Sequence, residues 1–139
     1  MASNVGPQYG KQIIRFAETH EFSSDEVFEF RLVWNNAGTK EVQDGASAAG
    51  SVTLGVNQYY IPSATEAPAA SRLGSVAFSG TLLVEADAAN LQAVGDALLV
   101  DGVGRSASTG AAVTVNNTTP IIREQVLIGG RSMVLVSFS

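Results

Sequence analysis

One histidine is the first candidate for acid–base chemistry or metal binding, because its side chain titrates near neutral pH. His20 lies between Thr19 and Glu21, and the chain contains no cysteine. A single imidazole without other imidazole or thiolate ligands is a poor basis for a zinc site. A Ser-His-Asp triad would have to use the same histidine, and no Gly-x-Ser-x-Gly segment supplies the nucleophile. We therefore interpret His20 as a surface-loop histidine.

Five acidic residues lie close together in the first part of the chain and are candidates for binding a hard cation. They are Glu18, Glu21, Asp25, Glu26 and Glu29. Their spacing differs from the regular Asp-x-Asp-x-Asp-Gly pattern that wraps calcium. The sequence therefore favours a solvated edge over a cation site. Three later aspartates are better explained by a helix cap and by turns, namely Asp87, Asp96 and Asp101.

Two further groups of residues have types that are used for ligand binding. The glycines on either side of Val103 and those at 129–130 lack the Gly-Lys-Ser/Thr ending of a phosphate loop. Tyr59, Tyr60 and Trp34 have ring faces on which a sugar can stack, although aromatic residues of strands more often pack in a core. Paired carboxylates remain an alternative, because glycosidases bring theirs together by geometry. The sequence predicts a protein that is not an enzyme and has no cofactor or metal site.

Composition limits the classes of partner. The 139 residues carry a formal net charge of −5, and 15% of them are charged, compared with about 25% in an ordinary soluble domain. The eight lysines and arginines are spread singly, so direct binding to nucleic acid is not expected. No apolar run approaches the ~20 residues that span a bilayer, and residues 1–7 lack a signal-peptide pattern. We expect a protein that is made in the cytoplasm and does not enter a membrane.

These candidate residues are positioned by strands, and the clearest strand covers residues 26–34. Its large apolar side chains fall on one parity and its charged ones on the other, so a strand would have one aromatic and one charged face. The apolar set is Phe28, Phe30, Leu32 and Trp34. Residues 35–38 (Asn-Asn-Ala-Gly) suit a hairpin loop, which predicts a return strand at 39–43.

The other segments are short and are separated by Gly, Asn and Pro. Strands are predicted at 11–17, 51–54, 57–61, 75–86 (with a bulge at Gly80), 96–100, 111–116, 121–128 and 131–139. Residues 62–74 contain two prolines and predict an extended loop. The one helical candidate is 87–94, with Asp87 as its cap and Gly95 at its end.

The last strand, 131–139, is apolar on both parities, which is expected where two layers or two subunits cover it. Many short strands with turn residues between them are typical of an antiparallel sandwich or barrel. We therefore predict an all-β fold, an antiparallel β-sandwich or β-barrel with at most one short helix around 87–94. Residues 1–10 form an extended N-terminal arm, and residues 11–139 form a single β-rich domain.

The chain resembles the small β-rich decoration (cement) proteins on the heads of tailed bacteriophages. The resemblance rests on the polar arm at 1–10, the low charge, the many small residues, the absence of cysteine, and the segment Gly-Asp-Ala-Leu-Leu-Val-Asp-Gly at 95–102. That segment is similar to a strand–turn unit of phage head proteins. No functional motif is carried over residue by residue.

The resemblance implies a virion protein that binds the outer surface of a capsid, contacts the major capsid protein, and forms homo-oligomers, often trimers. The arm, the 62–73 loop and the last strand are then the candidate capsid or subunit contacts. Their residues are Ala2, Asn4, Val5, Pro7, Tyr9, Pro62, Pro68, Leu73, Val134, Val136 and Phe138. One alternative is a phage tail or head–tail connector protein. A second alternative is a carbohydrate-binding β-sandwich module that uses Tyr59, Tyr60 or Trp34.

Overall fold

The structure is a computed structural model, and it describes residues 12–22, 25–35, 42–44, 52–66 and 72–138. These residues contain strands and turns, with no helix among them. The strands are β1 (Ile13–Glu21), β2 (Leu32–Asn35), β3 (Val42–Asp44), β4 (Val52–Asn57), β5 (Leu73–Glu85), β6 (Leu99–Val100), β7 (Ala111–Ala112), β8 (Ile121–Ile128) and β9 (Arg131–Phe138). The arm at 1–10 lies outside the described residues.

The strands form one curled antiparallel sheet, a half-barrel, and a small second sheet. In the large sheet the order is β3-β2-β4-β5-β9-β8, and β1 is added beside β5. Strands β6 and β7 pair with each other. The prediction of an all-β antiparallel fold is confirmed.

Strand β5 is the centre of the sheet because both of its edges are paired. Ala77 faces Ala17 of β1 on one edge and Val56 of β4 on the other. Further along, Gly80 faces Ile14 of β1 and Phe138 of β9. Strand β1 therefore follows one edge of β5, while β4 and β9 follow the other edge in succession.

Strand β9 is buried on both faces, as its sequence predicts. Val134 and Val136 belong to the large core cluster, together with Leu82 of β5. Met133 lies on the opposite parity and packs with Phe30 in a second cluster. The paired strands β5 and β9 thus separate two apolar layers of the domain.

The β8–β9 hairpin is also confirmed. Ile128 faces Arg131 across the bend, and Gly129 and Gly130 both have positive φ values of 57° and 82°. A two-residue loop with both φ values positive matches the twist of the flanking strands. Residues 116–119 turn in a similar way, because Asn116 and Asn117 adopt φ values of 53° and 60°.

The strand predicted at 26–34 is wrong over residues 26–31. Only residues from Leu32 onward belong to β2, because Phe30 adopts a φ of +65° that breaks the alternation. The Phe30 amide donates to the Asn57 carbonyl (2.7 Å), and its carbonyl accepts from the Glu85 amide (2.8 Å). These two long-range bonds and the burial of the ring hold a backbone conformation that a bulky residue seldom adopts.

The helix predicted at 87–94 does not form, and the segment is a series of turns. Gln92 explains the difference, because its buried side-chain amide forms hydrogen bonds with groups that lie beyond residue 94. Its Nε2 donates to the Ala97 carbonyl (2.8 Å), and its Oε1 accepts from the Leu99 amide (2.8 Å) and the Ser106 hydroxyl (2.9 Å). Asp87 does cap locally, because Oδ1 accepts from the Ala89 amide.

Several strands begin or end at residues other than those predicted from the sequence. Strand β1 continues to Glu21, β3 is the return strand of β2, and β4 runs through Gly55 as one strand. The strand predicted at 57–61 is replaced by an isolated bridge between Val27 and Ile61. The strand predicted at 111–116 shortens to β7.

A buried arginine connects the start of β5 to two loops. Arg72 is 3% exposed, and its guanidinium donates to the carbonyls of Pro62 (2.8 Å), Phe22 (2.9 Å) and Asp25 (2.7 Å). Three backbone acceptors thus replace the carboxylate that usually accompanies a buried arginine. This one side chain fixes the segment that follows β1 against the segment that precedes β5.

Candidate interaction surface

Strand β1 is the most exposed of the long strands that the structure describes. Eight of its nine residues are exposed, and His20 is intermediate. Three of the exposed side chains are large and apolar: Ile13 (65%), Phe16 (57%) and Ile14 (42%). Within the described residues β1 pairs with β5 alone, so no described strand lies along its outer edge. An exposed, apolar edge strand of this length is a template for pairing with another chain.

Local contacts hold β1 in register although little of it is buried. Gln12, just before the strand, accepts from the Leu83 amide (3.0 Å) and donates to Oε1 of Gln58 (2.9 Å). The ring of Phe16 stacks on Phe78 with 6.1 Å between centroids and 16° between planes. The pairing is irregular on either side of Phe16, where Arg15 of β1 and Phe78 of β5 face no partner residue, whereas Gly80, at which the sequence predicts the bulge, faces Ile14. Strand β1 is therefore a fixed feature of the domain surface.

Charge is distributed unevenly along β1. Arg15 lies near the start of the strand, and Glu18 and Glu21 lie toward its end. Arg15 makes no ion pair within the described chain, and with Ile13 it lines a depression of about 280 Å³ between β1, β5 and β9. The strand thus has a basic beginning and an acidic end, a polarity that a partner can recognise.

The predicted contact residues are scattered by the fold. Leu73 is 53% exposed and faces Glu21, which places it beside β1. Pro62 is half-buried. Val134, Val136 and Phe138 are buried in the chain's own core, so the core already accounts for their apolar character. Six predicted contacts lie outside the described residues: Ala2, Asn4, Val5, Pro7, Tyr9 and Pro68.

The residues considered for acid–base or metal chemistry are not brought together. No group of three or more His, Asp or Glu residues with metal-binding geometry occurs in the described segments. His20 lies in β1 rather than in a loop, and its Nε2 is 3.1 Å from Oε1 of Glu18. Asp101 accepts from the Val103 and Arg105 amides, which is the turn role that the sequence predicts.

Glu29 is part of an ion-pair network rather than of a solvated edge. Arg131 contacts Glu29 at 2.6 Å and Glu85 at 3.0 Å, and Arg31 contacts the same oxygen of Glu85 at 2.8 Å. Burial disfavours the charged form of Glu85, but the hydrogen bonds from the two guanidinium groups outweigh burial and lower its pKa. The network joins the Phe30 turn to β5 and β9.

Three aromatic side chains are exposed at Phe28, Tyr59 and Tyr60, whereas the sequence favours a core position for the two tyrosines. Phe28, Tyr59 and Tyr60 are each 42–43% exposed. Phe28 and Tyr60 are in tilted contact with centroids 5.7 Å apart, and the Arg31 guanidinium lies 5.2 Å from the centre of Phe28. This exposure is compatible with the carbohydrate-binding alternative for the tyrosines. Trp34 is half-buried in β2, where it offers a sugar less ring surface.

Tyr60 is expected to titrate abnormally. Its hydroxyl donates to Glu26, and this hydrogen bond is the main cause that raises its pKa from 10.0 to about 12. The pKa is higher in the folded chain than in the unfolded chain, so the contact stabilises the fold below pH 10.0 and is lost as the pH rises through about 12. In an ultraviolet titration, Glu26→Gln should return this tyrosine toward 10.0. Glu66→Gln, the control, should shift it less, and an unchanged titration of Glu26→Gln would contradict the assignment.

Comparison of the chain with protein-family models, with curated proteins and with solved structures gave no match. No helix in the described part of the chain is long and apolar enough to cross a membrane.

Proposed function

We propose that this chain is a structural virion protein that binds the outer surface of a tailed-phage capsid and stabilises it. The observation that supports this proposal is β1, which presents an apolar strand edge on a well-packed half-barrel. A surface of this kind is used for protein–protein contact and requires no chemical step. The partners are other copies of the chain and the major capsid protein, and the location is the capsid surface.

The position of β1 also suits an assembly role for the arm. Residues 1–10 precede β1 directly in the chain, so an arm that docks on a capsid would act next to the exposed strand. Ordering such an arm costs conformational entropy, which apolar contacts must offset. Repetition of the contact over a lattice strengthens weak binding through effective concentration.

The test is immunogold electron microscopy with an antibody against the purified chain, applied to particles released by the cells that produce it. Label on the faces of phage heads is the expected result. Label at the neck or along the tail would contradict the proposal and favour the tail or connector alternative. Particles without label would contradict both.

A matched binding experiment uses deletion of residues 2–9. This variant should lose most of its co-sedimentation with unlabelled heads while its circular dichroism stays that of the full chain. Full binding without the arm would show that the arm has no docking role. Val94→Ser is the control, because Val94 is 61% exposed in a turn and away from β1 in sequence.

A further inference from the structure

We propose that the outer edge of β1 pairs antiparallel with β1 of a second copy of this chain, about a two-fold axis. This inference rests on the assembly role proposed above and names the partner of the same strand. The pairing extends the half-barrel sheet of one copy directly into the sheet of the other.

The first argument is the unmatched edge. Strand β1 is nine residues long. One of its edges is bonded to β5, and the other edge faces no strand that the structure describes. Addition of a strand there would satisfy the outward backbone groups and cover Ile13, Ile14 and Phe16, which are 42–65% exposed. Edge strands that stay single are usually short, protected by charge, or bulged. Strand β1 is long and apolar at its start, and its irregular pairing with β5 is confined to Ile14–Ala17.

The second argument is the polarity of charge, which selects the direction of pairing. Arg15 lies near the start of β1, and Glu18 and Glu21 lie toward its end. Antiparallel pairing brings the basic start of each strand to the acidic end of the other, and the two-fold axis produces this contact twice. Parallel pairing would bring like charges together, which is unfavourable across a sheet. Because each copy carries a net charge of −5, this local complementarity is needed to offset the general repulsion.

The third argument is the register. In a two-fold antiparallel pair one residue faces its own copy, and Ala17 suits that position because its side chain is small. Arg15 would then face Thr19 of the second copy and lie diagonal to its Glu21, within reach of a long side chain. A register centred on Glu18 would place Arg15 directly opposite Glu21 twice, but it would also place the two Glu18 carboxylates opposite each other. The charges therefore favour antiparallel pairing whose centre lies at Ala17 or Glu18.

The experiment measures the mass of the full chain by analytical ultracentrifugation over a range of concentrations at low salt. The wild-type chain should be a dimer at high concentration. Arg15→Glu should raise the dissociation constant at least about tenfold, since it replaces two attractive contacts with repulsion. The double variant Arg15→Glu/Glu21→Arg, which exchanges the charges, should restore most of the affinity. Arg123→Glu changes an exposed cation of β8 and should leave the dissociation constant unchanged.

Three outcomes would overturn the pairing: a monomer at every concentration, equal effects of Arg15→Glu and Arg123→Glu, or a charge-exchanged double variant no tighter than Arg15→Glu. Hydrogen exchange gives a second measurement, because the outward amides of β1 should be protected in concentrated and not in dilute wild-type protein. A monomer that still labels phage heads would overturn only the pairing. A dimer that labels no particle would overturn only the capsid role.

Discussion

Replacement of Arg72 by methionine is expected to lower the free energy of unfolding by about 4 kcal/mol. One buried and two part-buried carbonyls lose a charged donor, and a hydrogen bond to a charged group contributes about 1.5–3 kcal/mol. Methionine preserves most of the side-chain volume, so the loss reports hydrogen bonding more than packing. Since small domains are stable by about 5–15 kcal/mol, this single change removes a large fraction of the total.

The measurement is chemical denaturation followed by circular dichroism, with Arg123→Met as the control. Arg123 is exposed on β8, and its replacement should change stability by less than about 0.5 kcal/mol. If Arg72→Met does not fold, Arg72→Lys is measured in its place. It retains the charge and part of the donor set, so its free energy of unfolding should fall by an intermediate amount. A stability of Arg72→Met within about 0.5 kcal/mol of the wild type would contradict the role assigned to the guanidinium.

Replacement of Gly80 by alanine is expected to cost about 3 kcal/mol and to loosen β1, through backbone strain and steric overlap of about 1–3 kcal/mol each. Gly80 has a φ of +125°, and an added Cβ would lie 2.1 Å from the Ile13 carbonyl oxygen and 2.9 Å from the Arg15 amide nitrogen. Both atoms belong to the backbone of β1. Relief of the overlap therefore requires β1 to move away from β5.

Gly95→Ala is a matched control for this prediction. Gly95 also has a positive φ, +93°, but no atom lies within 4 Å of an added Cβ. Its replacement should cost only the conformational strain, about 1 kcal/mol, and leave hydrogen exchange of β1 unchanged. Equal losses for the two variants would show that the close approach of β1 to β5 at Gly80 does not matter.

Local sequence patterns predict the strands whose conformation depends on neighbours in the chain. The β8–β9 hairpin follows from Gly129–Gly130 and from the alternation on either side of it. The two-sided burial of β9 follows from apolar residues on both parities. In these segments propensity, turn chemistry and burial all favour the same structure.

Long-range contacts decide the segments where the sequence misleads. Phe30 breaks a regular alternation because Asn57 and Glu85 bond its backbone from two sides. Gln92 ends a helical pattern because its amide bonds Leu99 and Ser106. These partners cannot be identified from the residues that lie close to Phe30 or Gln92 in the sequence.

The candidate surface is predictable only in part for the same reason. The pattern at 11–17 indicates a strand, but whether that strand lies at an edge depends on β5, far along the chain. The exposure of Ile13 and Phe16 therefore required the topology. The two exposed tyrosines likewise lie in a segment that a long-range contact holds, the bridge between Val27 and Ile61.

The two-sided pairing of β5 has a consequence during synthesis. Strand β5 is made before β9, whose residues cover it from Gly80 to Glu85, and a ribosome adds about 5–20 residues per second. The apolar residues of β5 are therefore synthesised several seconds before their partner strand, whereas the folding of an all-β domain takes milliseconds to seconds. Translation speed, more than the conformational search, sets how long this strand is vulnerable to aggregation in the cell.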